Sequence, residues 1–249
     1  MNAPILEVRG VGKRFGAFVA LEGVSVDFAA GELAAIIGPN GAGKSTFFNV
    51  ISGAFPPTSG RVLFEQRDIT GAPQHAYARM GIAKSFQITN LFPLLSAREN
   101  VRVAVQMRHS RFDLWSDRGS RREWSEAADA LLERVGLYAQ RDRAVQDMAH
   151  GEQRALEMAM ALASGPRLLL LDEPTAGMSP EETVTMMDLI VRLAAERTVI
   201  LVEHKMKLVM GICRRLIVLH HGELLAAGTP AEIRANDEVK RVYLGRENA

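Results

Sequence analysis

The chain has 249 residues, 47% of them hydrophobic and 24% charged, with 30 Lys and Arg against 29 Asp and Glu. This is ordinary globular composition with apolar material for a sizeable core, and a net charge of +1 gives no reason to expect nucleic acid as a partner. The single cysteine, Cys213, excludes an internal disulfide and fits a reducing compartment. Met1 to Phe15 has no apolar signal-like region, and no apolar stretch approaches the roughly 18 residues of a membrane span. A soluble or peripheral protein is expected, one that needs a partner for any membrane role.

In chain order, Ile5 to Val11 and Val24 to Phe28 alternate apolar and polar residues, the pattern of half-buried strands. Leu33 to Ile37 is a continuous apolar run, the pattern of a buried strand. A glycine-rich turn follows, then a helix from about Lys44 to Ser52. Arg61 to Ile69 predicts one further strand after the turn Phe55 to Gly60. Ile88 to Ala149 is mostly helical in pattern, with Trp124, Ala127, Ala128, Leu131 and Val135 at helical spacing. A helix (Glu152 to Ser164), a strand (Arg167 to Asp172), a helix (Pro180 to Ala195) and a strand (Thr198 to Glu203) come next. Strands alternating with helices predict a largely parallel sheet in an α/β core. A hairpin is expected at Leu216 to Ala227, turning at His221-Gly222, with two short helices closing the chain. Arg108 to Arg122 holds Arg108, Arg111, Arg118, Arg121 and Arg122, read as a solvated loop or as a contact with lipid headgroups or a membrane partner.

Gly38-Pro39-Asn40-Gly41-Ala42-Gly43-Lys44-Ser45-Thr46 matches the phosphate-loop pattern G-x-x-x-x-G-K-[ST]. Glycines let backbone N–H groups approach phosphate oxygens, and the following helix points its positive end at the same anion. Lys44 can reach the β- and γ-phosphates, Ser45 can offer its hydroxyl to Mg²⁺, and Thr46 supports the phosphates or the helix start. A chance match in a chain of this glycine content is roughly a one-per-cent event. Leu168 to Leu171 ends in Asp172 and Glu173. Open parallel sheets place ligands at the carboxyl ends of their strands. Asp172 is thus expected at the metal, and Glu173 where it polarises the attacking water.

Leu168 to Thr175 resembles the Walker B segment of ABC ATPases. Other stretches of the chain agree, in the order the family has them. Lys84-Ser85-Phe86-Gln87 resembles the Q-loop, with Gln87 implied at Mg²⁺ and the attacking water. Met148 to Gln153 resembles the signature motif, implying that Ala149, His150, Gly151 and Glu152 meet the γ-phosphate held by a second subunit. Leu201 to His204 resembles the switch segment, with His204 catalytic, and Phe15 aligns with the aromatic that stacks on adenine. The resemblance implies a P-loop NTPase (RecA-like) core with a small antiparallel β-subdomain and an inserted helical subdomain. It gives one ABC ATPase domain over 1–249, with core parts 1–87 and 151–249 and a helical part at about 88–150.

Ala149 stands where the family usually has serine, which removes a hydrogen bond worth roughly 1.5–3 kcal/mol. Ser179 replaces the usual D-loop aspartate. Ala176 to Glu182, Ile69 to Pro73, Glu203 to Met210 and Val239 to Gly245 resemble the branched-chain amino-acid importer cassettes, as does the Arg-rich segment. That resemblance implies an ATP- and Mg²⁺-dependent hydrolase at the cytoplasmic face of the cell membrane. Its implied partners are a second, different cassette chain, two permease subunits and, indirectly, a solute-binding protein. Similar cassettes import urea, amides or aromatic acids, which leaves the cargo open. Soluble ABC ATPases of repair carry long coiled coils, those of ribosomes usually two cassettes in one chain, and neither feature is present. A small-molecule kinase leaves the signature and switch motifs unexplained, and a binding module with dead chemistry leaves Glu173 and His204 without a role.

Overall fold

The computed structural model describes residues 3–84, 91–109 and 118–244. Gln87 and residues 110–117 of the Arg-rich segment lie outside these. In chain order come β1 (Pro4–Phe15), β2 (Phe18–Ala29), β3 (Leu33–Ile37), α1 (Lys44–Ile51), β4 (Ser59–Phe64), β5 (Arg67–Asp68), α2 (Gln74–Met80) and β6 (Ile82–Lys84). Then follow α3 (Ala97–His109), α4 (Arg118–Arg134), α5 (His150–Leu162), β7 (Leu168–Asp172), α6 (Pro180–Ala194) and β8 (Thr198–Val202). The last elements are α7 (Met206–Ile212), β9 (Arg215–His220), β10 (Glu223–Gly228), α8 (Pro230–Ala235), α9 (Asp237–Val239) and a π-helical turn at Lys240–Leu244. The chain divides into two compact units, one of residues 1–82, 167–174 and 190–249, the other of 83–166 and 175–189.

The first unit is built on two sheets. An antiparallel sheet has the order β2-β1-β4-β5, and the strands of the mixed sheet in this unit have the order β10-β9-β3-β8-β7. Within the mixed sheet β9, β3, β8 and β7 run parallel, and β10 returns antiparallel to β9. Every residue of β3, β7 and β8 is buried. This is why they read as unbroken apolar runs: parallel strands are covered on both faces. Phe28, Phe47, Phe48, Leu168 and Leu170 share one core that joins the antiparallel sheet, α1 and the mixed sheet.

The single strand expected at Arg61 to Ile69 is two. Glu65 and Gln66 take positive φ of 48° and 66°, and Phe64 pairs with Arg67 across this two-residue turn. Paired positive φ values match the right-handed twist of a tight hairpin, although neither residue is of the usual glycine or asparagine type. The sequence reading also passes over α2, β6 and α7, each seven residues or fewer and too short to show a period.

In the second unit α3, α4 and α5 pack through Val101, Val105, Trp124, Ala128, Leu132, Leu156 and Ala159, all buried. The buried stripe of α4 runs through Leu132, whereas Ala127 is exposed and Leu131 half-buried, so the expected helical face is rotated slightly. Ser96 and Glu99 cap α3 reciprocally: the Glu99 N–H donates to Ser96 Oγ at 3.2 Å and the Ser96 N–H to Glu99 Oε2 at 3.0 Å. Arg98 grips Asp129 from α4 through two bonds, of 2.7 and 3.2 Å. Fully buried Asn100 accepts the Phe92 N–H and donates its amide to the carbonyl of Ser96 at 3.0 Å, so its polar atoms are satisfied.

Candidate functional site

Strand β3 delivers the chain to Gly38, where the sheet face leaves no room for a side chain. A Cβ there would lie 2.3 Å from the Leu219 carbonyl oxygen. Gly43, the last loop residue before α1, has φ of 95°, and a Cβ on it would meet the Ala20 carbonyl at 2.9 Å. Both positions therefore require glycine. The loop is braced by an Ala42 N–H to Pro39 carbonyl bond of 3.1 Å and a Gly222 N–H to Ala42 carbonyl bond of 3.1 Å. Helix α1 opens at Lys44, so the unpaired N–H groups of its first turn face the loop. Lys44 Nζ donates to the carbonyls of Gly38 at 2.8 Å and Pro39 at 3.0 Å. Burial pushes this ammonium below its usual pKa, and the carboxylate of Glu173 partly offsets that. Asn40, Gly41 and Ser45 are exposed, Thr46 is half-buried and Ala42 buried.

Strands β7 and β8 lie in parallel register, with Asp172 opposite Val202, and β8 in turn pairs with β3, with Val202 opposite Ile36. Their carboxyl ends therefore share the edge at which the glycine loop begins. Asp172 is buried. Glu173 takes φ of 45°, a left-handed conformation that costs a non-glycine residue of order 1 kcal/mol, and its N–H donates to the Val202 carbonyl at 3.0 Å. The neighbouring strand end carries His204, whose Nδ1 lies 3.8 Å from Glu173 Oε1. Glu203, fully buried, accepts the N–H groups of His204 at 3.1 Å and Lys205 at 3.3 Å and so fixes the bend that presents the imidazole. Sequence reading gave Glu203 no role of its own.

Phe15 ends β1 about half exposed, at 47%, beside Phe18 across the hairpin turn. It meets Phe55 edge to face at 5.6 Å, with Lys13 Nζ 5.1 Å from its ring centre. An exposed ring braced this way offers a flat apolar surface to a base.

In the second unit Ala149 precedes α5, and its N–H donates to Glu152 Oε2 at 2.8 Å. This is one half of a capping box; alanine has no oxygen to return the other half. Glu152 also pairs with Arg143 at 3.2 Å. The Gly151 N–H donates to Glu182 Oε1 at 3.0 Å, while Glu182 Oε2 accepts the Ser179 N–H at 3.0 Å. One carboxylate thus caps the starts of both α5 and α6. These amide bonds hold Glu182 below the usual glutamate pKa. Sequence reading missed this link, although Ser179-Pro180-Glu181-Glu182 carries the Ser-x-x-Glu spacing of a cap. Ring atoms of His150 lie close to Gly177, 3.4 Å from where its Cβ would stand.

A buried parallel sheet whose strand ends gather a glycine loop, its lysine, two acids and a histidine defines a P-loop nucleotide hydrolase. Comparison with known proteins narrows this. A family model described as ABC transporter matches residues 21–176, and a second, described as Branched-chain amino acid ATP-binding cassette transporter, matches residues 223–249. The chain belongs to the ABC transporter family. It is 42% identical to the high-affinity branched-chain amino acid transport ATP-binding protein LivG of Salmonella typhimurium, over 98% of this chain and 99% of that one. Its identity to the corresponding protein BraF of Pseudomonas aeruginosa is likewise 42%, with the same shares covered. A solved ATP-binding cassette of an ABC transporter in its ADP conformation superposes with a TM-score of 0.86 at 28% identity, over 98% of this chain and all of that one.

Proposed function

We propose that the chain is the ATP-hydrolysing subunit of an importer for branched-chain or other hydrophobic amino acids. The observation that carries the hydrolase reading is the meeting of Glu173 and His204 at the sheet edge where the Lys44 loop begins. Lys44 holds the β- and γ-phosphates, the loop amides of Gly38 to Thr46 cradle them, and Phe15 stacks on adenine. The donor set fits magnesium: a serine hydroxyl and a buried carboxylate are hard oxygen ligands. Ser45 and Asp172, with Gln87 by family resemblance, would hold the ion, and it would neutralise charge on the phosphoryl group being transferred.

Glu173 takes a proton from water as the water oxygen attacks the γ-phosphorus in line. The bond to the bridging oxygen breaks, and ADP and phosphate leave. His204 orients Glu173 and the γ-phosphate. Ala149 to Glu152 serve the phosphate of a second cassette, so ATP joins two cassettes and hydrolysis parts them.

That second cassette is a different chain, and the pair drives two permease subunits fed by a solute-binding protein at the inner membrane, with this chain on the cytoplasmic face. Among the described residues no helix is long and apolar enough to cross a membrane. The cargo reading is supported by the full-length similarity to the LivG and BraF proteins and by the family match at 223–249.

The test is uptake of labelled leucine, urea and benzoate in source cells carrying Lys44→Ala. Loss of leucine uptake alone is expected. Loss of urea or benzoate uptake instead moves the cargo, and loss of none removes the importer assignment for these solutes.

A further inference from the structure

Glu203 follows directly on β8, a strand buried along its whole length, and its own side chain is fully buried. One oxygen, Oε2, accepts both the His204 N–H at 3.1 Å and the Lys205 N–H at 3.3 Å. These N–H groups belong to the two peptide planes that meet at the Cα of His204. A planar peptide leaves only φ and ψ free at that atom. Pinning the planes on either side therefore fixes the direction in which the imidazole leaves the backbone. The ring needs such a hold, because its side chain is 54% exposed and little packing surrounds it. Burying a carboxylate is costly unless hydrogen bonds satisfy it, and here the bonds that do so include those flanking His204. The same Oε2 lies 3.9 Å from His204 Nδ1, and Glu173 Oε1 lies 3.8 Å from that nitrogen. Two acidic oxygens on one side of the ring favour an N–H at Nδ1. Nε2 is then the nitrogen left for another partner.

We propose that Glu203 is a positioning residue for ATP hydrolysis: it holds His204 through the amides on both sides of it and through an anionic oxygen facing Nδ1, so that Nε2 is presented to the γ-phosphate. This rests on the reading of His204 as the group that orients Glu173 and the γ-phosphate. Glu203 acts through His204 and does not itself meet the nucleotide. On the same reading ATP is held by Lys44, the loop amides of Gly38 to Thr46 and Phe15, so weakening the hold on His204 lowers turnover and leaves affinity in place. Replacing Glu203 by glutamine keeps the size of the side chain and an oxygen for the two amides. It exchanges charge-assisted bonds for neutral ones, which are about half as strong, and removes the charge beside Nδ1.

The experiment uses the full chain with Glu203→Gln, with His204→Ala, and with both. Equilibrium binding of Mg-ATP, phosphate release at saturating Mg-ATP and the melting temperature without nucleotide are measured. With Glu203→Gln alone, kcat should fall about tenfold, the rate equivalent of weakening the charged bonds to neutral ones, with Kd within about twofold of the parent. In the His204→Ala background the same substitution should change kcat by less than about twofold, since the group it positions is gone. A kcat for Glu203→Gln within about twofold of the parent overturns the proposal. An equal fold loss in both backgrounds also overturns it, because Glu203 then acts independently of His204. So does a Kd that rises as much as kcat falls, or a lowered melting temperature with parental kcat, since a structural role suffices for either. If His204→Ala alone turns over as the parent does, the reading of His204 is wrong and the inference falls with it. If His204→Ala is slow while Glu203→Gln is parental, only the inference falls.

Discussion

Replacing Glu173 by glutamine keeps the shape of the side chain and removes its basicity. The group is 41% exposed and reaches His204 only at 3.8 Å, so little packing rests on its charge. A surface change of this kind alters stability by no more than about 0.5 kcal/mol. Loss of a general base lowers turnover by about 10²–10⁴-fold, or roughly 2.7–5.4 kcal/mol of barrier at 1.36 kcal/mol per tenfold. The same substitution takes away the carboxylate that holds up the Lys44 pKa, so that pKa should fall further. Phosphate release under saturating Mg-ATP gives the turnover, and equilibrium binding gives the affinity. The expected result is a chain that binds ATP, melts at the parental temperature, hydrolyses slowly and accumulates as an ATP-joined pair of cassettes. Turnover within about threefold of the parent would refute the assignment of Glu173 as the base.

Two further outcomes are expected. Ala149→Ser supplies the oxygen missing from the half-formed cap of α5; it should stabilise the fold by about 1 kcal/mol and tighten ATP-driven pairing, read by thermal melts and sedimentation, and an unchanged melt and pairing would count against it. Glu99, Glu182 and Glu232 are each held below the ordinary glutamate pKa by bonds at helix starts. Because the unfolded chain takes up these protons first, the stability they contribute is complete above that value and is lost as pH falls through the depressed folded values. Melting temperatures from pH 5 to 3 should fall less steeply when the three are replaced together by glutamine, and an identical slope would contradict the attribution.

The glycine loop and the Leu-rich strand were legible because each is a local pattern: a short run of neighbouring residues states both the element and its chemistry. The buried sheet was legible for the same reason, since strands covered on both faces must be apolar throughout. What escaped depends on distance or on tertiary choice. The turn at Glu65-Gln66 uses residues that do not advertise positive φ. The choice of Leu132 over Leu131 for the core depends on how α4 rolls against its neighbours. Glu182 was half legible, since its own helix cap follows from spacing, whereas its bond to Gly151 does not. Nothing in the local sequence around Tyr243 announces the bonds of its hydroxyl to Gly38.

The order of β3, β8 and β7 side by side has a consequence for the assembly of the site. Lys44, His204 and Glu173 each follow a different strand, so their separations are set by backbone ladders, like marks on three adjacent rulers. A slip of one residue between β7 and β8 would shift a mark by about 3.3 Å and turn its side chains to the opposite face. On the proposed reading, β3 and α1 place the phosphate contacts, and only β7 and β8 in register add the hydrolytic pair.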